Sequence, residues 1–181
     1  MKSTIAILCG AAVLAGAALA ADPNTIAKTY DSALKSAESE IVGLAEAMPA
    51  GKYNFAPTAG EFKGVRTFGE QVKHLAAVVY LVAAAAQGEK PPLDTNGEKG
   101  PASAVSKDQI VQFLKGSFAY AHKAALALTA ANEMDAVQSP FGDAKATRAG
   151  ILNVAMWHSF DHYGQMVVYA RMNGVVPPAS R

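Results

Sequence analysis

Cysteine is nearly absent from this chain. The one thiol, Cys9, lies in an apolar N-terminal stretch that reads as a leader, so the mature protein would hold none. That excludes a disulfide framework, thiolate catalysis and cysteine-built metal sites. The chain must fold on packing, with or without a metal ion. Charge of one sign is also missing. Sixteen Lys and Arg stand against fifteen Asp and Glu, for a formal net charge of +1, and no basic cluster of five or more residues occurs. Neither nucleic acid nor an anionic membrane surface is an expected partner. No alternating strand pattern persists and no internal repeat is visible. The methionines Met48, Met134, Met156, Met166 and Met172 form no copper-type run and read as core filler. Apolar side chains are abundant: 51% of the 181 residues, enough for one sizeable core and a single domain.

The first twenty residues differ from the rest. Lys2 is a positive n-region, residues 5–17 are apolar and uncharged, and Ala18-Leu19-Ala20 is an A-x-A cleavage signal. Residues 1–20 are read as a secretory signal peptide cut after Ala20. The apolar run falls short of the ~20 residues a membrane span needs. Leu8 before Cys9 is too large for a lipid-attachment site. The expected mature domain is 21–181, periplasmic or secreted, with no stable membrane anchor after cleavage.

Within that domain the apolar period is helical. Ile26, Tyr30, Leu34, Ala37, Ile41, Leu44, Ala45 and Met48 step by three and four through residues 24–48, stopped by Pro49-Ala50-Gly51. Residues 52–66 have no period, are long enough to run from one end of a bundle to the other, and carry aromatics that would pin them. Thr67 with Glu70 makes a capping box that opens a helix to Gln87, closed by Gly88 and apolar nearly all round, hence central. Residues 89–105 are a Pro- and Gly-rich exposed loop. Ser106 with Gln109 caps a third helix through Ala130, with Leu126 among its apolar residues. Residues 132–146 are irregular. Thr147 caps a fourth helix to about Asn173, with Gly174 beyond its end and Pro177-Pro178 blocking continuation. The fold class is all-α, a four-helix bundle whose unequal connections allow a crossover.

The residues with the most chemistry lie on the fourth helix. His158 and His162 are spaced i, i+4, which places both imidazoles on one helix face about a turn apart. Ile151, Val154 and Ala155 before them and Gln165, Met166 and Tyr169 after them share that stripe, so the pair points inward. Buried imidazoles need hydrogen bonds or a metal. His74 is an inward-facing histidine on the second helix. With the pair it would make a three-nitrogen site with an open position, the catalytic rather than the structural pattern, although spacing alone does not establish that it reaches them. Imidazole suits zinc, nickel, copper and iron alike. Asp161 and Gln165 are candidates to fix a ligand tautomer, against a solvated carboxylate and an interhelical hydrogen-bonder. Glu70, one turn before His74, is a candidate general base, against its capping role. His122 reads as a core histidine bonded to a carbonyl, and Trp157, Tyr163 and Tyr169 as packing.

These residues resemble the DinB-like metal-binding four-helix-bundle superfamily over nearly the whole mature chain. The likeness rests on Met48-Pro49-Ala50-Gly51-Lys52-Tyr53-Asn54-Phe55-Ala56-Pro57-Thr58, on residues 66–76 around His74, on residues 158–171 around the H-x-x-x-H pair, and on Gly174-Val175-Val176-Pro177-Pro178. It implies a divalent metal held by His74, His158 and His162, a crossover between the first two helices, and compatibility with a homodimer, although no exposed apolar stripe calls for one. Members of the superfamily include thiol S-transferases and thiol-dependent isomerases. The expected function is an exported, divalent-metal-binding protein, with zinc or nickel favoured, acting as a metal-dependent transferase or hydrolase on a small molecule. Glu70, Asp161 or Gln165 would assist. The alternatives are a metal-binding bundle without catalysis, or an interaction module whose histidines are core residues.

Overall fold

The computed structural model describes residues 24–181; the expected leader lies outside them. Four long helices carry the chain: α1 Thr25–Ala47, α2 Phe68–Gln87, α3 Lys107–Leu126 and α4 Arg148–Met172. Their starts follow local chemistry. The Thr67 hydroxyl accepts the Glu70 N–H while the Glu70 carboxylate accepts the Thr67 N–H, and Ser106 and Gln109 repeat this box on α3. Thr147 Oγ1 accepts the Gly150 N–H at the head of α4. Gly88 and Gly174 close α2 and α4 with φ of 74° and 75°, a left-handed conformation that costs glycine little.

Two expectations are corrected here. α3 stops at Leu126 rather than Ala130, because the Asn132 side chain takes the Ala127 carbonyl and the Thr129 N–H and so ends the helix. Leu126 consequently faces solvent, while Leu128 turns into the core. The stretch expected to be irregular contains an antiparallel hairpin of β1 Ala136–Gln138 and β2 Lys145–Thr147, with Val137 opposite Ala146. Three residues per strand, of which only Val137 is buried in β1, are too few to show a period of two.

The core lies where the four helices meet. α2 is central, with fifteen buried residues including Val72, Leu75, Val79 and Val82. α1 contributes Leu34, Ile41 and Leu44, α3 Leu114 and Phe118, and α4 Leu152 and Met166, all fully buried. Of the methionines, Met48 and Met166 are core residues, whereas Met134 and Met172 are exposed and correct the reading of all five as filler.

α1 and α2 each pack against both α3 and α4, so α1 and α2 sit diagonally across the bundle. Contacts set the directions. Lys107 at the start of α3 donates to the Glu46 and Met48 carbonyls at the end of α1. Arg148 at the start of α4 donates to the Ala86 carbonyl at the end of α2. Tyr30 near the start of α1 donates to the Ala149 carbonyl near the start of α4. The order is therefore up, down, down, up. The connection from α1 to α2 stays at one end, where Tyr53 donates to the Ala45 carbonyl and stacks edge-on against Phe68. The connection that runs end to end is residues 88–106, which travels back along α2 over a helix about 30 Å long. The crossover thus follows the second helix rather than the first, and its course along α2 positions the site.

Trp157, Phe160, Val168 and Met172 lie on the outer face of α4, each between 42% and 56% exposed, interspersed with exposed Asp161, Gly164 and Arg171. No helix among the described residues is long and apolar enough to cross a membrane.

Candidate metal centre

The second turn of α2 and the middle of α4 face each other as antiparallel neighbours. Because His158 and His162 lie one turn apart on the face of α4 that meets α2, both rings reach the side of α2 that carries His74. One ring nitrogen from each of the three lies within 4.8 Å of the other two. The ring centroids are 5.1 Å apart for His74–His158, 4.7 Å for His74–His162 and 4.4 Å for His158–His162, all edge-on. His74 and His162 are 4% and 5% exposed, and His158 is half-buried. The juxtaposition that spacing left open is therefore present.

The hydrogen bonds define the chemistry. His74 Nδ1 donates to the Glu98 carbonyl at 2.8 Å. A carbonyl only accepts, so Nδ1 carries the proton and Nε2 keeps a free lone pair. His158 Nε2 and His162 Nδ1 are buried without any hydrogen-bond partner. Such orphans are costly in a protein interior unless a ligand meets them.

Electrostatics keeps the imidazoles neutral. Burial, reinforced by the neighbouring His74, pushes His158 down to about 4, against a pull upward from the nearby carboxylate of Asp161. Burial and the two other rings push His162 down to about 3. Burial lowers His74 as well, outweighing the opposing effect of the Glu98 carbonyl bond and of the Glu98 carboxylate, which is 3.8 Å from Nδ1. Neutral imidazole is the metal-ligating form, so the donor set fits a divalent transition-metal ion, and three nitrogens do not choose which.

The residues expected to assist are placed less uniformly. Gln165 Oε1 accepts from Gln71 Nε2 at 2.9 Å across the α2–α4 interface, and Gln165 Nε2 donates to Asp161 at 3.3 Å. Asp161 and Gln165 are both exposed. The acceptor that fixes the His74 tautomer is the Glu98 carbonyl on the crossing connection. Glu70 Oε2 is engaged by the Thr67 N–H and hydroxyl at 2.8 and 2.9 Å, and the Thr67 backbone bond is the largest cause lowering its pKa. The three histidines are the metal-capable group found among the described residues, and neither Glu70 nor Asp161 is within it.

Two other expectations change. His122 bonds no carbonyl. Its Nδ1 meets Asp31 at 2.7 Å and its Nε2 meets Glu38 at 3.2 Å, linking α3 to α1 outside the three-histidine group. Trp157 is 56% exposed rather than packed, with its ring 5.7 Å from that of His158. Tyr169 is buried as expected and donates to the Arg66 carbonyl. Sequence reasoning missed Glu98 and Gln71. Glu98 acts through its backbone, which no side-chain pattern reveals. Gln71 lies three residues before His74 on the same α2 face, a signal that could have been read.

A helical bundle with three neutral, inward-facing histidines on two facing helices defines a class of metal-capable four-helix proteins. The family model described as DinB superfamily matches residues 33–166, and the chain belongs to that superfamily. Among solved structures it is similar to a DinB-like protein from Bacillus cereus ATCC 10987, with a TM-score of 0.55 and 19% identity over 83% of this chain and 91% of that one. At that identity the likeness concerns the fold. No curated protein matches the chain.

Proposed function

We propose that this is an exported metalloprotein whose His74, His158 and His162 hold one divalent ion, zinc or nickel, for a transfer or hydrolysis reaction on a small molecule. The observation that carries this reading is the convergence of three neutral imidazoles, two of which have buried nitrogens without partners. A bound ion would act as a Lewis acid, polarising a substrate group and lowering the pKa of what it binds. The protein's own contribution is geometric. The Glu98 carbonyl holds the His74 ring in one tautomer, and α2 and α4 hold the two halves of the donor set rigidly. Asp161 and Gln165 would assist, a role supported by the Gln71–Gln165–Asp161 hydrogen-bond chain between α2 and α4. Glu70 has one oxygen committed to its helix cap.

The test is metal content by elemental mass spectrometry of untagged protein recovered from the periplasm, beside the His158→Ala/His162→Ala double variant. About one equivalent of a single metal in the first and none in the second supports the centre. No metal in either, after exposure to zinc and nickel, refutes it. N-terminal sequencing of the same sample tests export, with Ala21 the expected first residue. A second reading, an ion that ties α2 to α4 without catalysis, is favoured by the near-complete burial of His74 and His162. It predicts that metal removal lowers the melting temperature while esters, amides and thiol–electrophile pairs are not turned over.

A further inference from the structure

A second feature shares a turn of the chain with the histidine centre, although no histidine lines it. A cavity of about 470 Å³ is lined by Arg66, Lys73 and Lys99 together with Glu70, Asn96 and Gly100. Its position relative to the centre follows from shared backbone. Lys73 precedes His74 on α2. Lys99 follows Glu98, whose carbonyl accepts from His74. Gly100 sits so close to α2 that a Cβ there would meet the Lys73 Cβ at 3.1 Å and the Lys73 carbonyl at 3.2 Å. The same turn, residues 95–100, therefore orients one imidazole and walls the cavity. It is closed by the Gly100 N–H on the Thr95 carbonyl, and it holds Asn96 at φ 49°, the one positive φ outside glycine among the described residues. The cavity is also walled by Arg66, whose carbonyl accepts from Tyr169 of α4.

The charge of this cavity is predominantly positive. Three cations line it, and none has a carboxylate within ion-pair distance among the described residues. The one anion, Glu70, has Oε2 bonded to its own helix cap at Thr67, and its charge interacts with Arg66 and Lys73, so the cavity keeps an excess of positive charge. In a chain of net charge +1 such a concentration is local rather than general. A concave site of one sign draws counter-charged ligands and focuses their field.

We propose that the Arg66–Lys73–Lys99 cavity binds the carboxylate or phosphate of a small anionic molecule whose other end is presented to the three-histidine centre. This rests on the metal reading above and names its substrate class. Arg66 offers the planar fork that pairs with either anion, and the two lysines add point charges. Both Arg66 and Lys99 are exposed, so their replacement tests binding rather than folding.

The experiment is calorimetric titration of the mature protein at low ionic strength with inorganic phosphate and, separately, with succinate. Metal-free wild type, zinc-loaded wild type and the Arg66→Gln/Lys99→Gln double variant are compared. Wild type should bind at least one anion saturably even without metal, and the double variant should lose tenfold or more while keeping its zinc stoichiometry. Stoichiometric zinc should tighten succinate several-fold, and succinate should tighten zinc by the same factor. Preference for phosphate or succinate assigns the anionic group. Absence of saturation with both anions, or unchanged binding in the double variant, overturns the cavity as an anion site. Zinc and succinate affinities that are independent of each other overturn the claim that cavity and centre form one site. Failure of wild type to take up zinc refutes the metal reading instead, and the metal-free titrations still decide the cavity.

Discussion

Replacing His162 by leucine should stabilise the metal-free protein while abolishing its response to metal. His162 is 5% exposed and its Nδ1 has no hydrogen-bond partner. A buried polar group left unpaired costs about 1–3 kcal/mol, a cost that an apolar side chain of similar size removes. For a domain of this length each kcal/mol moves the melting temperature by roughly 2–4 °C, so the metal-free variant should melt about 2–12 °C above metal-free wild type. With metal the order should reverse. Free ion at a thousandfold excess over its dissociation constant adds about 4.1 kcal/mol to the wild type, more than the variant's metal-free advantage, and the variant, short of one ligand, gains little. The assay is differential scanning calorimetry of chelator-treated protein, repeated with zinc and with nickel. A metal-free His162→Leu protein less stable than wild type by more than about 1 kcal/mol would mean that the imidazole already has a structural partner, and the argument from orphaned nitrogens would fail.

Three further outcomes follow from named contacts. His158 and His162 are lowered to about 4 and about 3 from an ordinary 6.5, so between those values and about 6.5 the unfolded chain binds protons that the folded chain refuses. Stability of the metal-free protein should be flat above pH 7 and fall as pH drops from about 6.5 towards 4, and a His158→Leu/His162→Leu variant should flatten that slope in thermal melts. Gly116→Ala should destabilise although it sits mid-helix in α3, because a Cβ would overlap the Tyr80 hydroxyl of α2. Overpacking of about 1–3 kcal/mol outweighs the alanine's helical gain of up to about 1, and adding Tyr80→Phe should restore the loss in denaturant melts with metal content unchanged. If the exposed apolar residues of α4 close on a second copy, Val168→Glu should turn a dimer into a monomer in sedimentation velocity; wild type that sediments as a monomer would leave them without that role.

The local rules written into the chain settled a great deal. Thr67 with Glu70, Ser106 with Gln109, Thr147, Gly88 and Gly174 mark helix ends through hydrogen bonds spanning three or four residues, and such bonds need no distant partner. The spacing of His158 and His162 on one face of a helix is legible for the same reason. Leu126, the hairpin at Val137 and the extent of α3 were not, since each turned on Asn132 or on strand pairing too short to leave a period. Tertiary structure alone decided the rest. The antiparallel docking of α2 on α4 brings His74 to the pair, and the course of residues 88–106 back along α2 places the Glu98 carbonyl on His74 and Lys99 beside Arg66. It also sent His122 to Asp31 and Glu38 and left Trp157 in solvent. These contacts join residues far apart in the chain. They depend on which helices are neighbours and which way each runs, and a pattern of period 3.6 specifies a buried face without naming what covers it.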